Sequence, residues 1–375
     1  MLSVKRLVLI GGGHSHVEVL RRFGTDPLSG TELVLVSPYP DSPYSGMLPG
    51  WIAGHYTRDE CHIDLMRLTR FANCRLVGSA CNGINPDARL VFCENGTTLP
   101  YDVVSVDTGT RSPAFDTPGA PEHALPVKPV EHFVPVLDDI CKRTVRGQAP
   151  RRIAVVGGGA AGVEVLLAMQ YRLRTLAPSA EISFELVSDT GSILLSHNSK
   201  VRTIFKQVLG RRGVTLHLGR AVERVDSGRL RLRGGGSVEA DAIVWATGAS
   251  APLWPRSVGL TTDERGFILV NERLQSVSHP QVFASGDIAS VKDHPRPRSG
   301  VYAVRAGPPL AENLRRTLRG ERLIEWRPQK EALALISTGN RYAVASRGNL
   351  ALEGKWVWQW KNWIDKRFMK RYQIP

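Results

Sequence analysis

Two short glycine runs, each wedged between an apolar strand and a helix, constrain this chain more than anything else in it. At the first, the apolar residues 7–10 lead directly into Gly11, Gly12 and Gly13, and residues 16–23 follow with helical spacing of their apolar positions. Residues 31–36 read as a second strand, so the stretch 4–37 has the length of one βαβ unit. The layout returns at residues 152–156, Gly157 to Gly162, a helix over 163–173 and a strand over 182–187. Such an internal repeat predicts an α/β protein with two Rossmann-like dinucleotide-binding domains.

Each unit then runs through strands and turns to a similar ending, Asp107-Thr108-Gly109 in the first and Ala246-Thr247-Gly248 in the second. Both endings read as a buried parallel strand closed by a turn. Proline-rich segments at 113–126 and 249–255 are the expected crossings between domains, and from Gln281 the chain returns with Val282-Phe283-Ala284-Ser285-Gly286-Asp287-Ile288-Ala289. The predicted organisation is a discontinuous first domain (1–118 and 251–322), an inserted second domain (119–250) and a C-terminal region (323–375). With 375 residues and 42% hydrophobic content, the chain is long enough for several cores.

The glycines carry the chemistry. A helix N-terminus offers unpaired N–H groups and the positive end of a dipole to a pyrophosphate, provided no side chain blocks its approach. Gly157, Gly159 and Gly162 meet all three glycine requirements, for the turn, for close approach and for helix–strand packing. The first unit meets two, with Gly11 and Gly13, and has His16 at the third. His14 falls at the helix start, either near the pyrophosphate or in solvent. The acidic residue that binds adenosine ribose hydroxyls is replaced by Ser37-Pro38 in the first unit and stands one step late, at Asp189, in the second. No Arg or Lys follows directly there, which favours NADH and leaves NADPH open.

The order of these motifs resembles the two-dinucleotide-domain flavoprotein superfamily of disulfide reductases, sulfide:quinone reductases and type II NADH dehydrogenases. The resemblance implies FAD in the first unit and NAD(P)H in the second, with Asp287 on the flavin ribityl chain. It implies an FAD set of Gly11, Gly13, His14, Ser15, Ser37, Pro38, Ser45, Gly46, Met47, Leu48, Cys81, Thr108, Gly109, Asp287, Gly300 and Val301. The corresponding NAD(P)H set is Gly157, Gly159, Ala160, Gly162, Asp189 and Gly248. Glu164 matches a glutamate near flavin and nicotinamide in type II dehydrogenases; as a helix-N-terminal carboxylate it also has a dipole role open to it. Lys128 either reaches the flavin from the crossing or remains an exposed lysine.

Within that superfamily, cysteines near the flavin choose the redox partner. The five cysteines here have no CxxC or CxxxxC spacing and none follows Cys141, so they read as reduced thiols. The segment Tyr44 to Gly50, where a disulfide reductase carries its cysteine pair, has none. What remains resembles a type II NADH dehydrogenase, in which hydride passes from NADH to FAD and the electrons go to a quinone-like acceptor. No metal site is read.

More narrowly, residues 11–16, 44–50 and 363–372 resemble the oxidoreductase region fused to selenide, water dikinase, which implies a flavin-bearing module serving a dikinase partner in selenium metabolism as the alternative.

A formal charge of +14 and a pI near 9.9 favour anionic partners. Residues 355–372, KWVWQWKNWIDKRFMKRY, set four tryptophans and six basic residues around one acid. Placed on a helix, Trp356, Val357, Trp360, Trp363, Ile364, Phe368 and Tyr372 share one arc, with Arg367 and Arg371 intruding on it. This reads as a helix lying on an anionic membrane surface, with packing on the protein itself as the rival; nucleic acid is the least favoured partner. No apolar run reaches the roughly 20 residues that span a bilayer, and no signal peptide is read. A cytoplasmic protein peripheral to the inner face of the cell membrane is the expectation.

Overall fold

A computed structural model describes residues 4–374. The first glycine run lies where the sequence pattern places it, between a strand Lys5–Ile10 and a helix His14–Thr25. Strand Lys5–Ile10 is central, paired in parallel with Thr31–Val36 on one side and Val103–Val106 on the other. A strand buried on both faces reads as a continuous apolar run, and Leu7, Val8, Leu9 and Ile10 are all at most 1% exposed. Cys74–Val77 and Val282–Ala284 complete the five-stranded sheet at its two edges. The last of these arrives from far along the chain, so the sheet closes only after the second unit has been made.

That second unit is a parallel five-stranded sheet in the order Leu125–Pro126, Ala242–Trp245, Arg152–Val156, Ser183–Ser188, Val214–Leu218. Its helix, Ala160–Leu176, starts three residues earlier and ends three later than the periodicity alone indicates. The repeat also extends further than the glycine turns. Each sheet carries a three-stranded antiparallel sheet before its Thr-Gly ending, Cys81–Asn85, Leu90–Cys93 and Thr98–Pro100 in one and Val222–Asp226, Arg229–Leu232 and Ser237–Glu239 in the other. The two crossings meet, Arg111 and Ser250 exchanging backbone hydrogen bonds at 3.0 and 3.1 Å.

The C-terminal region is an antiparallel sheet (Ala334–Ser337, Ala343–Arg347, Leu350–Gly354) followed by a helix, Lys355–Lys370. This helix packs on the protein. Val357 is buried against Ala343 and Ala345, while Phe368, Met369 and Tyr372 join the core of the first unit. The single arc expected from the sequence is therefore divided: Val357, Phe368 and Tyr372 turn inward together with the lone acid Asp365, and Trp356 and Trp363 stay 50% and 57% exposed. The reason is a polar contact that hydrophobic spacing does not encode. Lys361 reaches back to the carbonyl of Gly46 and to Asp365, and this fixes which face of the helix points in. Arg367 and Arg371 lie on the exposed side, Arg367 over the Trp363 ring at 5.3 Å. Among the described residues no helix is long and apolar enough to cross a membrane.

Candidate functional site

At the first glycine turn Gly11 has φ +92°, and a Cβ there would meet the backbone of Asp107 and Thr108. Its partner in the repeat, Gly157, has φ +133° and the same closeness to Ala246. The third positions then diverge. A Cβ at Gly162 would collide with the Gly157 carbonyl, so no side chain fits. His16 places a fully buried imidazole at the corresponding point, with Nδ1 2.6 Å from the Gly11 carbonyl and Nε2 2.8 Å from Ser105 Oγ. Burial pushes the ring down to about 4, so it is neutral near pH 7. Nδ1–H therefore donates to Gly11, and Ser105 donates to Nε2.

The helix N-termini differ as well. In the first unit the N–H groups of Ser15 and His16 donate to Oδ2 of Asp107 at 2.8 and 3.1 Å. In the second unit Ala246 stands in the place of Asp107, and the surroundings of Gly159 are open. Ala160 and Gly162 thus begin a helix whose first N–H groups meet no carboxylate, which is what a nucleotide pyrophosphate requires. Asp189 follows the strand Ser183–Ser188 and is exposed; Gly248 is exposed on the facing turn.

Around the first unit the sequence-derived residues converge from distant segments. Lys128 Nζ lies 3.3 Å from Asp287 Oδ2, and both act electrostatically on His14, whose ring burial pushes down to about 4. His14 meets Tyr44 edge-on at 5.5 Å, and Tyr44 stacks on Phe368 at 4.3 Å. Ser45 lies against Gly300, where the helix Gly300–Arg319 begins with Val301 as its second residue. Met47 and Leu48 are buried, and the Gly46 carbonyl accepts from Lys361. Thr108 and half-buried Gly109 follow the Asp107 strand, Thr108 exposed and Gly109 with φ +73°.

Two residues of the expected FAD set are otherwise engaged. The Ser37 hydroxyl donates to the Tyr39 carbonyl at 3.0 Å beside exposed Pro38, so a ribose would have to compete for it. The Cys81 thiol donates to the Gly83 carbonyl in the antiparallel sheet.

The second unit meets the C-terminal region at Glu164. Its carboxylate accepts the Ser337 N–H at 2.7 Å, and burial pushes it up to about 7, against the pull of nearby Lys361. Lys361 in turn bonds Asp365 at 2.6 Å, and Asp365 faces the Tyr44 hydroxyl. Lys361, Asp365, Tyr44 and Asp107 were not singled out from sequence. Asp107 left a signal, since a charged residue follows a fully buried, mostly apolar strand, opposite Ala246 in the repeat.

A flavin dinucleotide fits this setting. Ser285 Oγ and His14 Nε2 are buried with no hydrogen-bond partner, and a cavity of about 230 Å³ opens against Ser285, Gly286 and Asp287. The described cysteines are all free. Cys61, buried below the Tyr44 loop, has its thiol pushed up to about 12 by burial and stays protonated.

A sequence profile for the pyridine nucleotide-disulphide oxidoreductases matches residues 5–307. The chain belongs to this family. It is accordingly an oxidoreductase that works with FAD and NAD(P)H, through two Rossmann-like units.

Among its relatives, the ferroptosis suppressor protein 1 of Xenopus tropicalis is 26% identical over 70% of this chain and 68% of its own length. An alternative NAD(P)H-ubiquinone oxidoreductase C1 of Arabidopsis thaliana is 29% identical over 60% of this chain and 47% of its own. The oxidoreductase thus spans about half to two thirds of these relatives. In fold it resembles the sulfide:quinone oxidoreductase of Aquifex aeolicus, with a TM-score of 0.81 at 17% identity, covering 98% of this chain and 91% of that one.

Proposed function

We propose that the protein oxidises NADH through FAD and passes the electrons to a quinone-like acceptor. The observation that carries this reading is Glu164. A carboxyl group that exchanges its proton near pH 7, where the second unit meets the C-terminal region, suits an acceptor that takes up protons with its electrons. The described cysteines are all free, and the Tyr44–Gly50 loop holds none to take those electrons instead.

When bound, FAD supplies the two-electron step between nicotinamide and acceptor. The chain's own groups do the rest. The open helix start at Gly159 and Ala160 binds the NADH pyrophosphate, and Asp189 takes its ribose hydroxyls. Lys128 and Asp287 would orient the flavin chain, and Gly300 and Val301, at the N-terminus of their helix, would lie on its side of the site. Met47 and Leu48 exclude water from that ring. Glu164 holds the proton for the acceptor, and Lys361 tunes it.

Steady-state oxidation of NADH and NADPH is the test, with a soluble quinone, oxygen and a selenium or sulfur compound as competing acceptors. NADH with quinone should be fastest. A colourless protein that no FAD restores, or faster reduction of the selenium compound, would sink the proposal; the latter would favour the dikinase-linked alternative.

We also propose that the outward side of the Lys355–Lys370 helix meets an anionic membrane at its inner face. Trp356 and Trp363 are exposed there beside Lys355, Lys366, Arg367 and Lys370, the pairing that suits a charged lipid interface. Flotation of the protein with anionic vesicles, lost on Trp356→Ser with Trp363→Ser, is expected; equal flotation with neutral vesicles argues against it.

A further inference from the structure

Asp107 is the charged group in the glycine-turn machinery that the proposed reaction leaves without a task. Its Oδ2 accepts the N–H groups of Ser15 and His16, the first-turn donors that a dinucleotide pyrophosphate uses in a Rossmann unit. The carboxyl group also fills the approach to the turn, because a Cβ added at Gly13 or at Gly286 would fall on it.

Among the described residues no cation faces this carboxylate. The helix His14–Thr25 brings His14 and His16, both kept neutral by burial. The turn Gly286–Ile288 brings a second carboxylate, Asp287, whose ion pair is with Lys128. The neighbouring strands Lys5–Ile10 and Val282–Ala284 are apolar at this end. Beside Asp107, Ser285 is tied to the strand through its N–H on the Val106 carbonyl, and its hydroxyl is 1% exposed with no partner. A buried hydroxyl without an acceptor points to a polar ligand atom that belongs there.

We propose that Asp107 is a resident counter-anion for the first glycine turn, and that it takes up a proton from solvent when the FAD pyrophosphate docks. The inference rests on the assignment of FAD to the Gly11 unit. Two phosphate charges arriving beside Asp107 and Asp287 would put like charges together in a buried setting, which favours the neutral acid. Once protonated, its hydroxyl becomes a donor toward a phosphate oxygen, so the displaced cap turns into a contact. In the free protein burial already pushes this group up to about 7, which places the coupling in the neutral range. Below that pH the acid is protonated beforehand and flavin binding takes up no proton. Above it, each bound flavin draws a proton from solvent, and binding weakens as pH rises.

The experiment dilutes full-length holoprotein at pH 5.5 to 9 and measures released flavin by its fluorescence. The dissociation constant should be level up to about pH 7 and then rise toward tenfold per pH unit. Asp107→Asn should remove the slope and hold flavin more tightly than wild type at pH 9. Glu164→Gln, which removes the other carboxyl group that titrates near neutrality, should retain the slope. Where Asp107→Asn does not fold, the wild-type chain stripped of flavin is titrated with FAD by calorimetry at pH 8, in two buffers of different ionisation enthalpy, with uptake near one proton expected. A level wild-type curve, an unchanged slope in Asp107→Asn, or no proton uptake overturns the inference while leaving FAD in place. Protein that never carries flavin overturns the FAD assignment, and this inference with it.

Discussion

The two glycine turns share a backbone plan and have opposite surroundings. In the second unit no carboxylate among the described residues meets the helix start, because Ala246 stands where Asp107 stands in the first, and Gly162 allows the helix to sit on the Gly157 carbonyl. In the first unit the same space is furnished: Asp107 occupies the N–H groups and the His16 ring bridges Gly11 and Ser105. The contrast continues two residues on. Glu164 follows Gly162 and is pushed up to about 7 by burial, whereas Glu18 follows His16 at the same step and is held below its ordinary value. Burial acts on Glu18 in the same upward direction, but hydrogen bonds from Arg21, Arg22 and Tyr372 outweigh it. One repeat position thus yields a structural anion in one unit and an exchangeable proton in the other. The difference is set by which cations lie within reach.

The sharpest way to break this comparison is to exchange the third positions. Gly162→Val should destabilise the protein by about 3 kcal/mol through overpacking against the Gly157 carbonyl. His16→Gly should cost about 3 kcal/mol, since it empties a buried volume and strands the Gly11 and Ser105 partners. Denaturant unfolding reads both, and a near-neutral His16→Gly would show that the first turn needs no bridge.

The glutamates come next. Glu164→Gln should lower turnover with quinone by about 100-fold. In the wild type, that turnover should fall as pH rises through about 7, because the acid form donates; the limb should vanish in the variant. Glu18→Gln should leave the pH profile unchanged and cost about 2 kcal/mol of stability by weakening the hydrogen bonds from Arg21, Arg22 and Tyr372. A profile altered by Glu18→Gln instead would reverse the assignment.

Installing the first unit's cap in the second is a milder test. Ala246→Asp should raise KM for NADH about tenfold, ~1.4 kcal/mol, by placing an anion at the nucleotide's helix. Flavin content should stay constant; loss of flavin with an unaltered KM would exchange the roles of the two units. The smallest effect is expected from Lys128→Met, since a half-exposed ion pair to Asp287 contributes less than ~1 kcal/mol. Its measure is a modest increase in flavin release.

Much of the architecture was legible because parallel, doubly buried strands leave continuous apolar runs, and because a tight turn into a helix restricts residue choice to glycine. That is why both βαβ units, the Thr-Gly endings and the return of the chain from Gln281 could be read in order. Helix ends were less legible: Ala160–Leu176 extends past its apolar stripe, since caps and partner contacts decide the last turn. The glycine turns were legible because backbone geometry dictates residue type there, whereas Asp287 was indicated only by the family resemblance. It was hidden where residues hundreds of positions apart meet, as Lys361 does with Gly46 and Ser337 with Glu164.

By itself, then, the sequence determined a twofold dinucleotide-binding plan without a cysteine pair in the Tyr44–Gly50 loop, because local sterics and hydrophobic periodicity are written in neighbouring residues. The sequence also marked the two glycine turns as unequal at His16; only the tertiary structure decided what surrounds each of them. Whether a carboxylate caps a helix, holds a proton or pairs with arginine depends on burial and on the charges that folding brings beside it. No spacing along the chain records those.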